Sequence, residues 1–523
     1  MRIERTKNAT RNIIYGSALK VFQIIMPFIM RTAMIYYLGV EYLGLNSLFT
    51  SVLNVLNLAE LGVGNAMVYS MYKPIAEDDE VLICALLKRY RLYYRLIGSF
   101  IAIIGIILLP FIPKLINGTV PSGMDIYVLY LLNLGATVLT YWLFAYKNSL
   151  LNAHQRNDVI SKVSIMMESF RYLIQLFILI VLHNYYLFLV VNLGIQILLN
   201  IITAVIVSNM YPNYRPIGNL PNQVIVDINS KIRDLFTSRL GGVIVNSADS
   251  IVISAFLGLS VLAVYENYYY ILTAIIGFIN IILESCSAGI GNSIILESNE
   301  KNYKDLKKLT LLVTWIAGFC TCCLLCLYQP FMEIWVGKDM QLRFSAVILF
   351  CIYYFVYEIN RVLNIYKDAA GIWHEDRFRP LITAFVNLLM NLIMVQFWGI
   401  YGVLLSTVIS TILVGMPWLL YNLFSTLFTK ENLNSYIRKL LLYTCIVTVI
   451  CGITWILCII VPLKGVACLI IRAIICLIIP NILFFVVFSK QSEFFECVLL
   501  IDNMTRNKFK LQNRIKQNND RNV

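Results

Sequence analysis

Apolar residues run along this chain in long blocks separated by short polar stretches, and one-by-one alternation is rare. A block of ~20 apolar residues, rising 1.5 Å per residue as a helix, covers the ~30 Å hydrocarbon core of a bilayer. Membrane barrels instead show ~10-residue alternating segments, and none occur here. The blocks predict about fourteen transmembrane helices, near residues 12–38, 43–72, 93–116, 126–150, 159–182, 185–210, 236–258, 261–295, 308–336, 344–366, 379–398, 400–424, 440–461 and 465–489. The expected fold class is an all-α polytopic membrane protein.

Composition agrees. Of 523 residues, 59% are hydrophobic and 14% charged, too apolar for a soluble globular chain. The N-terminus has a charged start but no small-residue cleavage site after a short apolar core, so no removable signal peptide is expected.

Lysine and arginine separate onto alternate loops. One set includes Lys73, Lys88, Arg89, Lys147, Arg156, Arg215, Lys301, Lys307, Lys367, Arg377, Lys430, Lys439 and the tail from Lys490 to Arg521; the other has only Lys114, Lys338, Arg343 and Lys464. Cytoplasmic loops carry the excess, so a multi-pass cytoplasmic-membrane protein with both termini in the cytoplasm is expected. The net charge of +13 then follows from topology, and it calls for no nucleic-acid partner. The basic tail is also suited to anionic lipid headgroups.

The chain repeats itself. YKNSLLNAHQRND at Tyr146 and YKDAAGIWHEDRF at Tyr366 start 220 residues apart, with His154 and His374 in register. Leu38-Gly39-Val40 matches Leu257-Gly258-Leu259 at an offset of 219, which also places Lys20 on Arg239. Gly62-Val63-Gly64-Asn65 resembles Gly289-Ile290-Gly291-Asn292. Two homologous six-helix bundles follow, residues 1–210 and 236–430. An even number of helices in each keeps both the same way up, as in parallel-repeat transporters. Residues 211–235, with Val224, Ile228, Ile232 and Leu235 at helical spacing, read either as an interfacial amphipathic helix or as a plain linker. Two extra helices occupy 431–489, and a basic tail fills 490–523.

The stretch from Arg31 to Pro74 concentrates the features that matter. It joins a tight turn at Gly39 to Tyr42, a helix interrupted around Gly62 and Gly64, and the ionisable Arg31 and Glu60 inside apolar spans. Charge at that depth costs about 2.5–3.5 kcal/mol or more and marks a functional position or a partner. Arg31 has no acid three or four residues away, so its partner is on another helix or is a ligand. Arg31, Lys20, Arg239, Arg171 and Arg361 are the candidate substrate-binding cations, since guanidinium grips phosphate bidentately and lysine adds a point charge. Glu168 with Arg171, and Glu358 with Arg361, lie three apart and share a helix face, where each pair can neutralise itself.

Glu60, Asp249, Glu266 and Glu284 read either as coupling sites for H+ or Na+ or as interhelical partners of those bases. Gly62, Gly64, Gly289 and Gly291 permit close packing or local unwinding as helix-break or hinge positions. Tyrosines cluster at 265, 268–270 and at 353, 354 and 357, suited to an interface belt or to stacking on sugar. Cys320, Cys322, Cys323 and Cys326 lie mid-helix without His or carboxylate neighbours and read as packing, so no metal site is expected. No P-loop and no HExxH are present, and no hydrophilic segment is long enough to fold alone. An enzyme and an ATP-driven pump are both disfavoured, and no cofactor is expected.

The run YYLGVEYLGLNSLFTSVLNVLNLAELGVGNAMVYSMYKPIAEDD resembles the N-terminal signature of bacterial polysaccharide-biosynthesis flippases, Wzx-like members of the multidrug/oligosaccharidyl-lipid/polysaccharide exporter superfamily. ADSIVISAFLGLSVLAVYENYYYILTAIIGFIN resembles the opening of their second half, and the likeness covers about residues 1–430. The resemblance implies alternating access by two bundles, and a cationic cavity that takes undecaprenyl-pyrophosphate-linked oligosaccharide for O-antigen, capsule or exopolysaccharide assembly. Arg31 is the residue it carries over, and membrane lipids, a polysaccharide polymerase and other assembly proteins are the implied partners. The competing readings are a multidrug/cation antiporter, a lipid II flippase, and a membrane-embedded glycan polymerase or acyltransferase. An antiporter would favour a carboxylate-dominated cavity, and an enzyme a large outer loop.

Overall fold

The structure is a computed structural model that describes residues 5–118, 120–121, 123–491 and 493–498, with side chains for all of these except 5–10, 13, 234, 237–239, 246, 285 and 288. Most of the tail predicted at 490–523 and the side chain of Arg239 thus lie outside the described residues.

In chain order the helices are α1 (Arg5–Tyr37), α2 (Val40–Leu56), α3 (Val63–Ala76), α4 (Glu80–Leu108), α5 (Ile126–Trp142), α6 (Asn148–Ala153), α7 (Asn157–Phe177), α8 (Tyr185–Met210), α9 (Asn222–Leu257), α10 (Leu259–Leu296), α11 (Asn299–Trp335), α12 (Phe344–Ala369), α13 (Arg379–Trp398), α14 (Ile400–Ser410), α15 (Met416–Thr426), α16 (Lys430–Ile459) and α17 (Gly465–Phe488). No strand occurs among the described residues. Among the described residues thirteen spans are long and apolar enough to cross a membrane, or fourteen if α5 and the Ala145–Ala153 segment, bent by 48°, count as one. This is the multi-pass all-α architecture that the apolar blocks predict.

Residues from 211 to 235 join the spans differently from a separate interfacial helix. From Asn222 they run unbroken into the apolar stretch Leu240–Leu257 as the single helix α9. Local chemistry sets the other boundaries. Asp79, Asp125, Asn184, Ser298 and Thr429 each accept a backbone N–H at a helix start, which satisfies donors the helix cannot. Gly39 (φ 117°) and Gly258 (φ 93°) make the tight turns before α2 and α10 with nearly the same conformation, ψ 167° and 171°. Both φ values lie where only glycine is unstrained.

The chain divides into two compact units, Met1–Glu266 with Asn391–Gly399, and Asn267–Met390 with Ile400–Val523. In the first, α1 packs on α7, α4 on α5, α5 and α7 on α8, and α2 on α9. Its core includes Leu45, Leu48, Phe49, Met67, Met71, Ile83, Leu129 and Tyr130, all at most 1% exposed. Gly44 is obligatory there, because any Cβ would overlap the Leu259 carbonyl. In the second unit α11 is central, flanked by α12, α16 and α17. Gly318 admits the Phe484 ring, whose Cζ would lie 2.5 Å from an added Cβ.

Candidate functional site

Within the first unit Arg31, Asp249 and Glu266 come together at the corner between α9 and α10. Ser254 Oγ donates to the Leu115 carbonyl (2.7 Å), Asn117 N donates to the Ser254 carbonyl (3.0 Å), and Ser260 Oγ donates to Glu41 Oε1 (3.4 Å). With Gly44 seated on Leu259, these contacts hold the corner in place, and Glu266 follows two turns along α10. On α1, Pro27 removes one backbone donor a turn before Arg31, and Thr32 Oγ1 bonds back to the Phe28 carbonyl at 2.9 Å.

Arg31 meets Glu266. Its Nη2 lies 3.5 Å from Glu266 Oε2, with the side chains 16% and 14% exposed. The acid is 235 residues away in sequence, as expected from its absence within a turn of Arg31. Ser250 of α9 donates to Glu266 Oε1 at 2.7 Å. Beside it Asp249, buried at 6%, accepts from Asn391 Nδ2 at 2.6 Å. The arrangement is a cation with two acids, one held by a hydroxyl and the other by an amide. A tight charge-assisted contact is about 2.7–2.9 Å, so the Arg31–Glu266 pair is loose.

The remaining predicted residues are dispersed. Lys20 is exposed on α1 beside the exposed Val21 and Ile25. Glu60 accepts from Tyr94 Oη at 3.1 Å, and Tyr90 Oη donates to Tyr94 Oη at 2.7 Å, so a chain of two tyrosine hydroxyls ends on it. Arg171 does not bond Glu168. It donates to Asn192 Oδ1 at 3.1 Å and lies 4.6 Å over the Tyr172 ring.

The second unit corrects the other predicted pair as well. Arg361 Nη2 donates to Glu284 Oε1 at 3.0 Å, while Glu358, 0% exposed, has no hydrogen-bond partner at either oxygen. Spacing placed both on one helix face, but the helix turns Glu358 inward and leaves Arg361 reaching toward α10.

Of the hinge glycines, Gly62 (φ 87°) separates the short 3-10 turn Asn57–Glu60 from α3. Gly289 and Gly291 instead lie in unbroken α10, so the unwinding expected there is absent. The matched histidines also part company. His154 is buried, its ring 4.4 Å from that of Tyr211, and His374 is exposed.

Sequence reasoning missed several groups. Asn387 and Asn391, four apart in the apolar span of α13, were the visible signal for an amide partner to a buried acid. Asp376, 2% exposed, accepts from Arg379 Nε (2.6 Å) and Nη2 (2.7 Å) and from Asn422 (3.0 Å), with Lys367 Nζ at 3.5 Å. Cys326 meets Cys458 and Cys476 from α16 and α17, their sulfurs all within 4.8 Å. The thiol cluster is thus built across three helices, not within the Cys320–Cys326 run alone.

Comparison with known proteins places this geometry. A family model described as polysaccharide biosynthesis protein matches residues 9–287. No curated protein sequence matches the chain. Among solved structures, the lipid II flippase MurJ in an inward closed conformation aligns with a TM-score of 0.60 at 14% identity, over 91% of this chain and 99% of that one. An inward-facing multidrug-resistance MATE transporter of the MOP superfamily aligns at 0.57 and 14% identity, over 77% and 97%. A MOP superfamily transporter from Pyrococcus furiosus with a binding pocket of reverse polarity aligns at 0.50 and 13%, over 80% and 94%. These identities establish a shared fold, and the proteins sharing it are flippases and transporters, not enzymes. The chain belongs to the polysaccharide biosynthesis protein family and has the fold of the MurJ and MATE transporters.

Proposed function

We propose that this protein flips an undecaprenyl-pyrophosphate-linked oligosaccharide from the cytoplasmic to the outer leaflet of the cell membrane by alternating access, in surface-polysaccharide assembly. The observation that carries the reading is Arg31, a guanidinium inside an apolar span that lies 3.5 Å from Glu266. A diphosphate presents oxygens that the planar guanidinium can grip bidentately. Diphosphate binding thus competes with Glu266, and release restores the pair. Family membership supports the polysaccharide pathway, and the fold is one shared with a lipid II flippase. The lysine and arginine bias of alternate loops supports cytoplasmic termini.

The test is translocation of a fluorescent undecaprenyl-pyrophosphate glycan in proteoliposomes at matched insertion. Native protein moves the lipid. Arg31→Lys keeps the charge but loses the fork, and forfeits about 1.5–3 kcal/mol of charged hydrogen bonding, roughly a 10- to 100-fold loss. Arg31→Ala loses at least as much. Full activity in both variants would refute the role of Arg31, and native protein that exchanges organic cations but moves no lipid would refute the flippase reading.

A further inference from the structure

The most costly arrangement in the second unit is Glu358. It sits within the apolar span of α12, fully buried, and neither carboxylate oxygen has a hydrogen-bond partner. It is not alone. Thr321 on α11 meets Cys351 on α12, the Cys351 thiol donating to the Thr321 carbonyl. Two turns on in the same direction along this antiparallel pair, seven residues earlier on α11 and seven later on α12, come Thr314 and Glu358. Thr314 Oγ1 is itself buried and without a partner. One turn before Glu358, the Tyr354 hydroxyl has no hydrogen bond to oxygen or nitrogen and lies beside the Cys320 thiol. The register thus brings three oxygen-bearing side chains to one stretch of the α11–α12 interface, none of them bonded to another oxygen or to nitrogen. An ionised carboxylate without donors is among the least tolerable buried groups, whereas a neutral acid can donate as well as accept.

The charged surroundings are few. Arg361 stands one turn along α12, engaged with Glu284 of α10, whose side chain is 65% exposed. From α11 come the thiols of Cys320 and Cys323. Helices α14 and α15, also packed on α12, carry no acid, lysine, arginine or histidine.

We propose that Glu358 is a proton-exchange site coupled to the transport cycle: it holds a proton in the conformation described here and releases it in another, and the bare carboxylate then draws Arg361 away from Glu284. The spacing of three residues allows the new pair. Proton release at Glu358 would in this way loosen α12 from α10, and proton return would restore the contact. One proton leaves to water and one charge appears on Glu358, neutralised by the Arg361 cation. A proton suits the site better than Na+, which needs more oxygen ligands than one carboxylate and two hydroxyls.

The coupling rests on the transport reading above, but the proton site can be measured without transport. Infrared spectra of the purified protein in lipid would be recorded across bath pH, in H2O and D2O, for native protein and for Glu358→Gln. The expected result is a protonated-carboxyl carbonyl band that follows bath pH, shifts in D2O and is missing in Glu358→Gln. A band that persists unchanged in Glu358→Gln overturns the proposal. So does a native band indifferent to bath pH and to D2O, and so does removal of the band by Na+ at constant pH. In proteoliposomes, a pH gradient should speed native lipid translocation severalfold and leave Glu358→Gln unaccelerated, with gradient-free exchange retained. Equal stimulation of both overturns the coupling. If native protein moves no lipid yet the band behaves as expected, the proton site stands and the flippase reading falls.

Discussion

Four glycines with the same sequence appearance should respond to alanine with opposite signs. At Gly62, φ is +87°, and a non-glycine residue in left-handed backbone costs about 1–2 kcal/mol. The new Cβ would also lie 2.6 Å from Leu235 Cβ, 3.1 Å from the Ile232 carbonyl oxygen and 3.3 Å from Phe236 N. Two of those atoms are backbone and cannot swing away, so overpacking adds about 1–3 kcal/mol. Gly62→Ala should therefore cost roughly 2–5 kcal/mol. At Gly289 an added Cβ meets nothing within 4 Å, and at Gly291 only the Ala369 carbonyl at 3.7 Å, in both cases inside continuous α10. There alanine should stabilise by about 0.5–1 kcal/mol, by reducing the freedom of the unfolded chain. Gly64 falls between, since its near neighbours are the side-chain ends of Glu60 and Tyr90, each at 3.1 Å. The assay is thermal unfolding in detergent, followed by thiol-dye labelling of buried cysteines such as Cys322 and Cys326. The expected order of midpoints is Gly289→Ala and Gly291→Ala above native, Gly64→Ala near it, and Gly62→Ala well below. A Gly62→Ala midpoint at or above native, or an equal fall for Gly289→Ala, would refute the reasoning.

Two further outcomes follow from charges away from the candidate site. Asp376→Asn leaves Arg379 without its acid and Lys367 with only the half-exposed Asp368, each base having 8% side-chain exposure. Breaking a buried pair costs about 3–5 kcal/mol, so the unfolding midpoint should fall sharply, and adding Lys367→Met should recover part of it. Burial lowers the His154 pKa below its ordinary 6.5, against the weaker upward pull of the Nδ1 contact to the Leu150 carbonyl. Below pH 6.5 the unfolded chain binds this proton first. Stability should decline as pH falls from there toward the depressed value, and it should be independent of this group above it. His154→Phe, stacked on Tyr211, should flatten that part of the pH–stability curve measured by thermal unfolding.

Much of the architecture was legible because lipid is a strict solvent. An apolar block of sufficient length has one stable form in it, so spans could be read from residue order alone. Gly39 and Gly258 were legible as matched tight turns for a similar reason, since backbone geometry there admits little else. Gly62 and Gly289 show the limit, as near-identical tetrapeptides that are broken in α3's approach and straight in α10. Glycine permits unwinding without requiring it, and the packing of Leu235 against Gly62 has no visible trace in either segment.

What the sequence alone determined was the solvent, the all-helical form, the placement of nearly every span and the list of charges that lipid would not tolerate. What only the tertiary structure decided was their partners. Arg31 found Glu266 across 235 residues, Asp249 found Asn391, and Arg361 passed over the acid three positions away for one on another helix. Helical periodicity says which side chains share a face. It cannot say which neighbour that face will meet, because that depends on packing between elements far apart in the chain. Glu358, left in the interior with no donor, is the clearest consequence of that difference.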